Sequence, residues 1–185
     1  MEQELLADVD VFVVRDFLSP SECARLIAEA EDIGFTDAPV TTSDGPVSMP
    51  EVRNNTRAME DREDLAEWLW EKLRGVDLPW DEGYEPLRLN ERIRFYRYDP
   101  GQYFAPHYDG FYQTPDGSQQ SHYTVMIYLN DGFHGGETVL HEHDLDVEPE
   151  VGMALFFLHA QLHEGAELLA GRKYVLRTDL MYDHR

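Results

Sequence analysis

Cysteine and basic charge are what this chain has least of. A single cysteine, Cys23, cannot form an internal disulfide, so packing rather than cross-linking must hold the fold. Only 15 Lys and Arg stand against 37 Asp and Glu, a formal charge of −22. Such a surface repels phosphate backbones, and no nucleic acid is expected as a partner. No apolar run reaches the roughly 18 residues a membrane-spanning helix needs, so no membrane is expected either. The acidic start, Met1 to Asp8, lacks the basic and apolar parts of a signal peptide. With the lone thiol, this makes the cytoplasm the expected compartment. Neither a glycine-flanked serine elbow nor a phosphate loop is present, which leaves nucleophilic serine and nucleotide chemistry without support. The acidity itself reads as a solvated surface rather than as recognition of a basic partner.

What is present suffices for one core. At 185 residues the chain reads as a single domain, 1–185, with helical support over about 1–80 and strands over about 90–185. Val11 to Val14 suits a buried strand. Ser19-Pro20-Ser21-Glu22 carries the cap, the first-turn proline and the reciprocal acid of a helix start. Cys23, Leu26, Ile27 and Ala30 follow at helical spacing, and Gly34 is the expected stop. Cys23 on that stripe reads as a small buried residue. Thr36 to Arg57 has little periodicity and reads as a long loop or lid. A second helix is expected from Asp61, with Leu65, Trp68, Leu69 and Leu73 as its stripe and Gly75 as its end. From Arg92 the period changes to two. Ile93 and Phe95 share one face, and Arg94, Tyr96 and Tyr98 the other. His122–Leu129, Thr138–His141, Ala154–Leu158 and Lys173–Tyr182 are further strands. Two helices followed by many short strands predict an α+β fold, a helical layer on a β-sandwich or jelly roll.

Chemistry concentrates at His107-Tyr108-Asp109. Residues two apart on an extended chain point the same way, so His107 and Asp109 can aim at one ion and a distant strand can add His163. Two imidazoles and one carboxylate form the facial triad that suits Fe(II) and leaves positions open. The run Arg94 to Gly110, with Tyr123-Thr124 through Asn130, Gly135-Gly136-Glu137-Thr138, His163-Glu164-Gly165 and Gly171-Arg172-Lys173-Tyr174, resembles the catalytic core of prolyl 4-hydroxylase-like Fe(II)/2-oxoglutarate dioxygenases. The ordered motifs cover about residues 92–182.

That resemblance implies a double-stranded β-helix (jelly-roll) core with N-terminal supporting helices. It implies Fe(II) on His107, Asp109 and His163, with 2-oxoglutarate and O2 as cosubstrates and ascorbate as an accessory reductant. Lys173 matches the family's cation for the far carboxylate of 2-oxoglutarate, a charge-assisted contact. Tyr98 and Tyr128 match tyrosines on the same carboxylate. Arg177 has the parity of Lys173 and is the reserve cation, whereas Arg172 faces away. Thr124, Met126 and Tyr128 share a face by alternation, and Thr138 is a candidate pocket residue. The implied reaction is hydroxylation of an unactivated C–H bond with release of succinate and CO2. A prolyl or other side chain of a protein or peptide is the first substrate class, and a free amino acid or small metabolite the second. One departure stands out: six residues beyond the cation, where prolyl hydroxylases commonly have Trp, this chain has Asp179. Arg177 on the same face suggests a buried ion pair there.

Two other readings compete. Gly135, His141, His143 and Glu148 imitate the first metal motif of cupins, which leaves His107, Asp109 and Lys173 without roles. A catalytically silent binding module is the second, and the complete ligand set speaks against it. His159, four residues before His163, follows a buried strand pattern and reads as structural. His122, His134 and His184 carry no sequence signal.

Overall fold

The computed structural model describes residues 1–42, 45–81 and 83–184. The chain opens with strands β1 (Glu2–Ala7) and β2 (Val11–Arg15), helix α1 (Pro20–Ile33), strands β3 (Thr36–Asp37), β4 (Val40–Thr42), β5 (Gly45–Val47) and β6 (Thr56–Asp61), and helix α2 (Glu63–Lys72). Strands β7 (Pro86–Leu89), β8 (Arg92–Tyr98), β9 (Phe104–His107), β10 (Gln119–Tyr128), β11 (His134–Gly135) and β12 (Thr138–Leu140) follow. After a 3-10 turn at His141–His143 come β13 (Leu145–Val147), β14 (Ala154–Leu158), β15 (His163–Gly165), β16 (Leu168–Ala170) and β17 (Lys173–Asp183).

The start of α1 forms as its residues dictate. Ser19 Oγ accepts from the Glu22 amide at 3.3 Å, and the Glu22 carboxylate accepts from the Ser19 amide at 2.8 Å. Such a cap is worth about 1 kcal/mol. Gly34 closes the helix with its amide on the Ala30 carbonyl. Cys23 is fully buried, and burial pushes its thiol up to about 11. α2 begins two residues later than expected and buries Leu65, Ala66 and Leu69.

The strands build two facing sheets. The larger runs β1-β2-β14-β10-β17-β8-β6-β3, with β7 also on β17; the smaller runs β13-β12-β15-β9. All these pairings are antiparallel. Alternation along each strand of the large sheet then sorts side chains into two cores. Phe12, Ile93, Phe95, Val125, Ile127, Phe156 and Leu176 face the helices, beside Leu26 and Leu69. Val11, Val13, Tyr96, Tyr98, Met126, Tyr128, Leu155, Phe157 and Val175 face the small sheet. The result is a helical layer on a double-stranded β-helix.

One expectation needs correcting. The stretch Thr36 to Arg57 is not a structureless loop: β3 joins the large sheet through β6, and β4 pairs β5 as a hairpin. Ser43 and Asp44, at the centre of that stretch, lie outside the described residues. Within the region expected to support the core, the strand read at Val11 to Val14 is present as β2, and β6 is a further strand of the large sheet. Polar composition hid β3 to β6, because short strands that gain their pairing from distant partners need little hydrophobic periodicity of their own.

Candidate metal centre

β9 and β15 pair so that His107 and His163 stand opposite each other. Asp109 follows β9 by two residues, and its amide is held by the His159 carbonyl at 3.2 Å. Ligand atoms of His107, Asp109 and His163 all lie within 4.8 Å of one another. The Asp109 carboxylate faces both rings, with Oδ1 3.8 Å from His107 Nε2 and Oδ2 3.5 Å from His163 Nε2.

The remaining contacts of each ring aim it. His107 Nδ1 donates to the Ala105 carbonyl at 2.8 Å, and His163 Nδ1 to the Gln161 carbonyl at 2.9 Å. With the proton on Nδ1, each ring presents the Nε2 lone pair to the shared space, the usual arrangement for a metal-binding imidazole. Burial, and secondarily the other ring, lowers His107 to about 4; burial lowers His163 as well. Both are therefore neutral donors at neutral pH. Burial alone would raise Asp109, but Arg177, the two imidazoles and the Thr124 hydroxyl outweigh it and hold the carboxylate ionised far below its usual range. One anion and two neutral nitrogens, converging without a proton to displace, fit a divalent ion.

A layer behind the cluster holds Asp109. Thr124 Oγ1 donates to Asp109 Oδ2 at 2.6 Å, and Arg177 Nη2 forms an ion pair with the same oxygen at 3.1 Å. His159, expected to be structural, has its Nδ1 2.9 Å from Thr124 Oγ1 and its Nε2 2.9 Å from Ser121 Oγ. Arg177 also meets Asp179 at 3.2 Å, the ion pair expected from their parity, and Arg94 reaches Asp179 from the neighbouring strand at 3.3 Å.

Lys173 lies deeper in the same cleft, 1 % exposed. Its Nζ donates to the Gly136 carbonyl at 2.5 Å and sits 5.1 Å and 5.5 Å from the Tyr98 and Tyr128 rings. Tyr128 Oη is 2.7 Å from Thr138 Oγ1. The cleft is lined by Tyr98, Thr138, Lys173, Met126 and Arg177 together with the three-donor cluster. Arg172 turns outward to Asp99, as parity requires. The rival set is not assembled. His141, His143 and Glu148 are exposed, and among the described residues the only group of three metal-type donors is His107, Asp109 and His163.

Sequence reading missed His122, whose Nδ1 lies 2.6 Å from Asp81 and Nε2 2.7 Å from His184 Nε2. It also passed over Arg53, whose guanidinium covers the Phe104 ring at 4.0 Å. Neither residue sits in a local pattern that could have flagged it.

Two imidazoles, a carboxylate and a deep cation in the mouth of a jelly roll define the class of metal-binding double-stranded β-helix proteins. Within that class, residues 93–178 match the family described as the 2OG-Fe(II) oxygenase superfamily. The chain is 26 % identical over 196 residues to "Probable prolyl 4-hydroxylase 3" of Arabidopsis thaliana, covering 88 % of this chain and 66 % of that protein. Among solved structures, the viral collagen prolyl hydroxylase of Paramecium Bursaria Chlorella virus-1, in its 2OG complex, superposes with a TM-score of 0.61 at 23 % identity, covering 94 % of this chain and 96 % of that one. A prolyl hydroxylase from Trichoplax adhaerens, solved with a hypoxia inducible factor peptide fragment, gives 0.68 at 18 % identity, covering 94 % and 84 %. Residues 93–178 thus resemble the 2OG-Fe(II) oxygenase superfamily, and the chain is prolyl 4-hydroxylase-like. It spans just under two thirds of the length of the curated relatives it first matches. No helix among the described residues is long and apolar enough to cross a membrane.

Proposed function

We propose that the protein is a 2-oxoglutarate- and Fe(II)-dependent dioxygenase that hydroxylates a C–H bond, with a prolyl or other side chain of a protein or peptide as the first substrate class. The observation that carries this reading is the convergence of His107, Asp109 and His163 in one cleft with the buried Lys173. Fe(II) with 2-oxoglutarate and O2 supplies the oxidising power, and succinate and CO2 are the by-products.

The chain's own residues position and shield. His107, Asp109 and His163 are the residues that would hold the metal. Arg177 and Thr124 fix Asp109, so that the carboxylate keeps its place as charge changes beside it. Lys173 anchors the far carboxylate of 2-oxoglutarate, with Tyr98, Tyr128 and Thr138 forming the wall around it. Met126, Phe157 and the tyrosines exclude water from this end of the cleft. Tyr108 and Phe111, 59 % and 64 % exposed just before and after Asp109-Gly110, offer apolar faces at the rim for a proline-bearing chain. The kinship to prolyl 4-hydroxylases supports a peptide substrate.

The test is conversion of 2-oxoglutarate to succinate with Fe(II), scored beside Fe(II) binding. Both are expected to be lost in His107→Ala and Asp109→Ala. Unaltered succinate formation in both variants refutes the assignment. Gain of one oxygen on a peptide, and not on free amino acids, separates the two substrate classes.

A further inference from the structure

On the face of the large sheet that looks toward the metal cluster, four guanidiniums gather around Tyr96. Arg94 stands opposite Arg177 across β8 and β17, and Arg57 stands opposite Tyr96 across β6 and β8. Arg53, from the segment before β6, lays its guanidinium 4.9 Å over the Tyr96 ring. Burial alone would raise the Tyr96 phenol, but Arg177, Arg53 and Arg94 outweigh it and lower it.

Counter-charge is short. Asp179 serves Arg94 and Arg177, and the other carboxylate in reach, Asp109, belongs to the metal cluster. Arg53 is 6 % exposed, bonds Asn55 through Nε at 3.0 Å, and has a buried Nη2 with no partner. Arg177 Nε is likewise buried without a partner. Arg57 is half-buried and forms no ion pair with a described residue. Burying cations without anions is costly, and unmade hydrogen bonds on a buried guanidinium add to that cost. In a chain with 37 acidic residues, a carboxylate could readily have been placed here, yet the cluster is left cationic. Arginine, with its planar fork, is the side chain that grips a carboxylate bidentately.

We propose that this cluster is a substrate subsite: the substrate carries a carboxylate that docks on Arg53 and Arg57, with Arg94 at its edge, close to the carbon that is hydroxylated. The proposal rests on reading His107, Asp109 and His163 as the iron centre. The carboxylate has two sources, an acidic residue beside the target in a peptide or the α-carboxylate of a free amino acid. Asp179 acquires a role in the same picture. It pairs with Arg94 and Arg177 and partly neutralises them, so that Arg53 and Arg57 are the main cations left to receive the incoming anion.

The test separates binding from turnover. Capped peptides with proline flanked by Glu, Gln or Lys, and free proline against prolinamide, are titrated by ligand-observed NMR into the full chain loaded with Mn(II) and 2-oxoglutarate. Succinate is measured in parallel with Fe(II). The carboxylate ligand is expected to bind roughly ten- to a hundredfold more tightly than its amide counterpart. Arg57→Gln should erase that preference and Arg57→Glu should shift it toward the Lys peptide, the neutral variant guarding against misfolding. A preference confined to proline over prolinamide identifies a small-molecule source; one confined to the Glu peptide identifies a peptide. Equal affinity for acid and amide in both series overturns the proposal, whatever the succinate result. So does an Arg57→Gln change that weakens 2-oxoglutarate while peptide discrimination stays intact, since the cluster then serves the cosubstrate. Charge-selective binding without succinate leaves the subsite standing and refutes the oxygenase reading alone.

Discussion

Replacing Lys173 by methionine exchanges a buried cation for an apolar chain of similar length, and its effect on stability should change sign with pH. The side chain is 1 % exposed, and burial pushes its ammonium from an ordinary 10.5 down to about 7, with Glu137 pulling the other way. The unfolded chain keeps this proton up to its ordinary range, whereas the folded chain releases it near pH 7. Between those limits the unfolded state binds more protons, so this residue makes stability rise with pH. Its cost to the fold is complete below pH 7 and gone above 10.5. The gap corresponds to about 5 kcal/mol. Methionine also forfeits the bond to the Gly136 carbonyl, roughly 1 to 3 kcal/mol. At pH 6.5 the ligand-free variant should therefore be more stable than the parent by about 2 to 4 kcal/mol. At pH 10 it should be less stable. The same displaced proton links to the cosubstrate: above pH 7 a carboxylate at Lys173 must draw a proton in, so 2-oxoglutarate should weaken by up to about tenfold per pH unit. Urea denaturation of parent and variant at pH 6.5, 8 and 10 measures the first effect. Calorimetric titration with 2-oxoglutarate at pH 8.5, in buffers of unlike ionisation heat, measures the proton uptake. A stability difference that is flat in pH, together with no proton uptake, would refute the reasoning.

The fold offers two simpler tests. A Cβ at Gly152 would lie 2.0 Å from the Leu18 carbonyl oxygen, at a φ of +79°; Gly152→Ala should cost at least about 3 kcal/mol, seen as a large drop in Tm, since both strain and a backbone clash apply. Ser19→Ala removes the α1 cap and should cost about 1 kcal/mol in urea denaturation, with Ser19→Asp recovering most of it.

Much of the site was legible because its signals are local. The spacing of His107 and Asp109 works on any extended chain, and parity alone placed Arg177 with Asp179 and sent Arg172 outward. The capping box of α1 and the two faces of β8 were likewise written into neighbouring residues. The Thr36 to Arg57 stretch was misread because its strands take their pairing from β6 and from each other rather than from an apolar period. His159 is buried as its strand pattern suggested, but its link to Asp109 through Thr124 needed the register of β10 against β14.

Sequence by itself determined the candidate donor types, their order and the start and stop of α1, since each depends on bonds and spacings within a few residues. Only the tertiary structure decided that Arg53, Arg57, Arg94 and Arg177 surround one tyrosine with too few carboxylates among them. Those residues come from three strands and a connecting segment. Their common electrostatic field exists only after hydrogen-bond register has laid the strands side by side, and no local pattern along the chain encodes it.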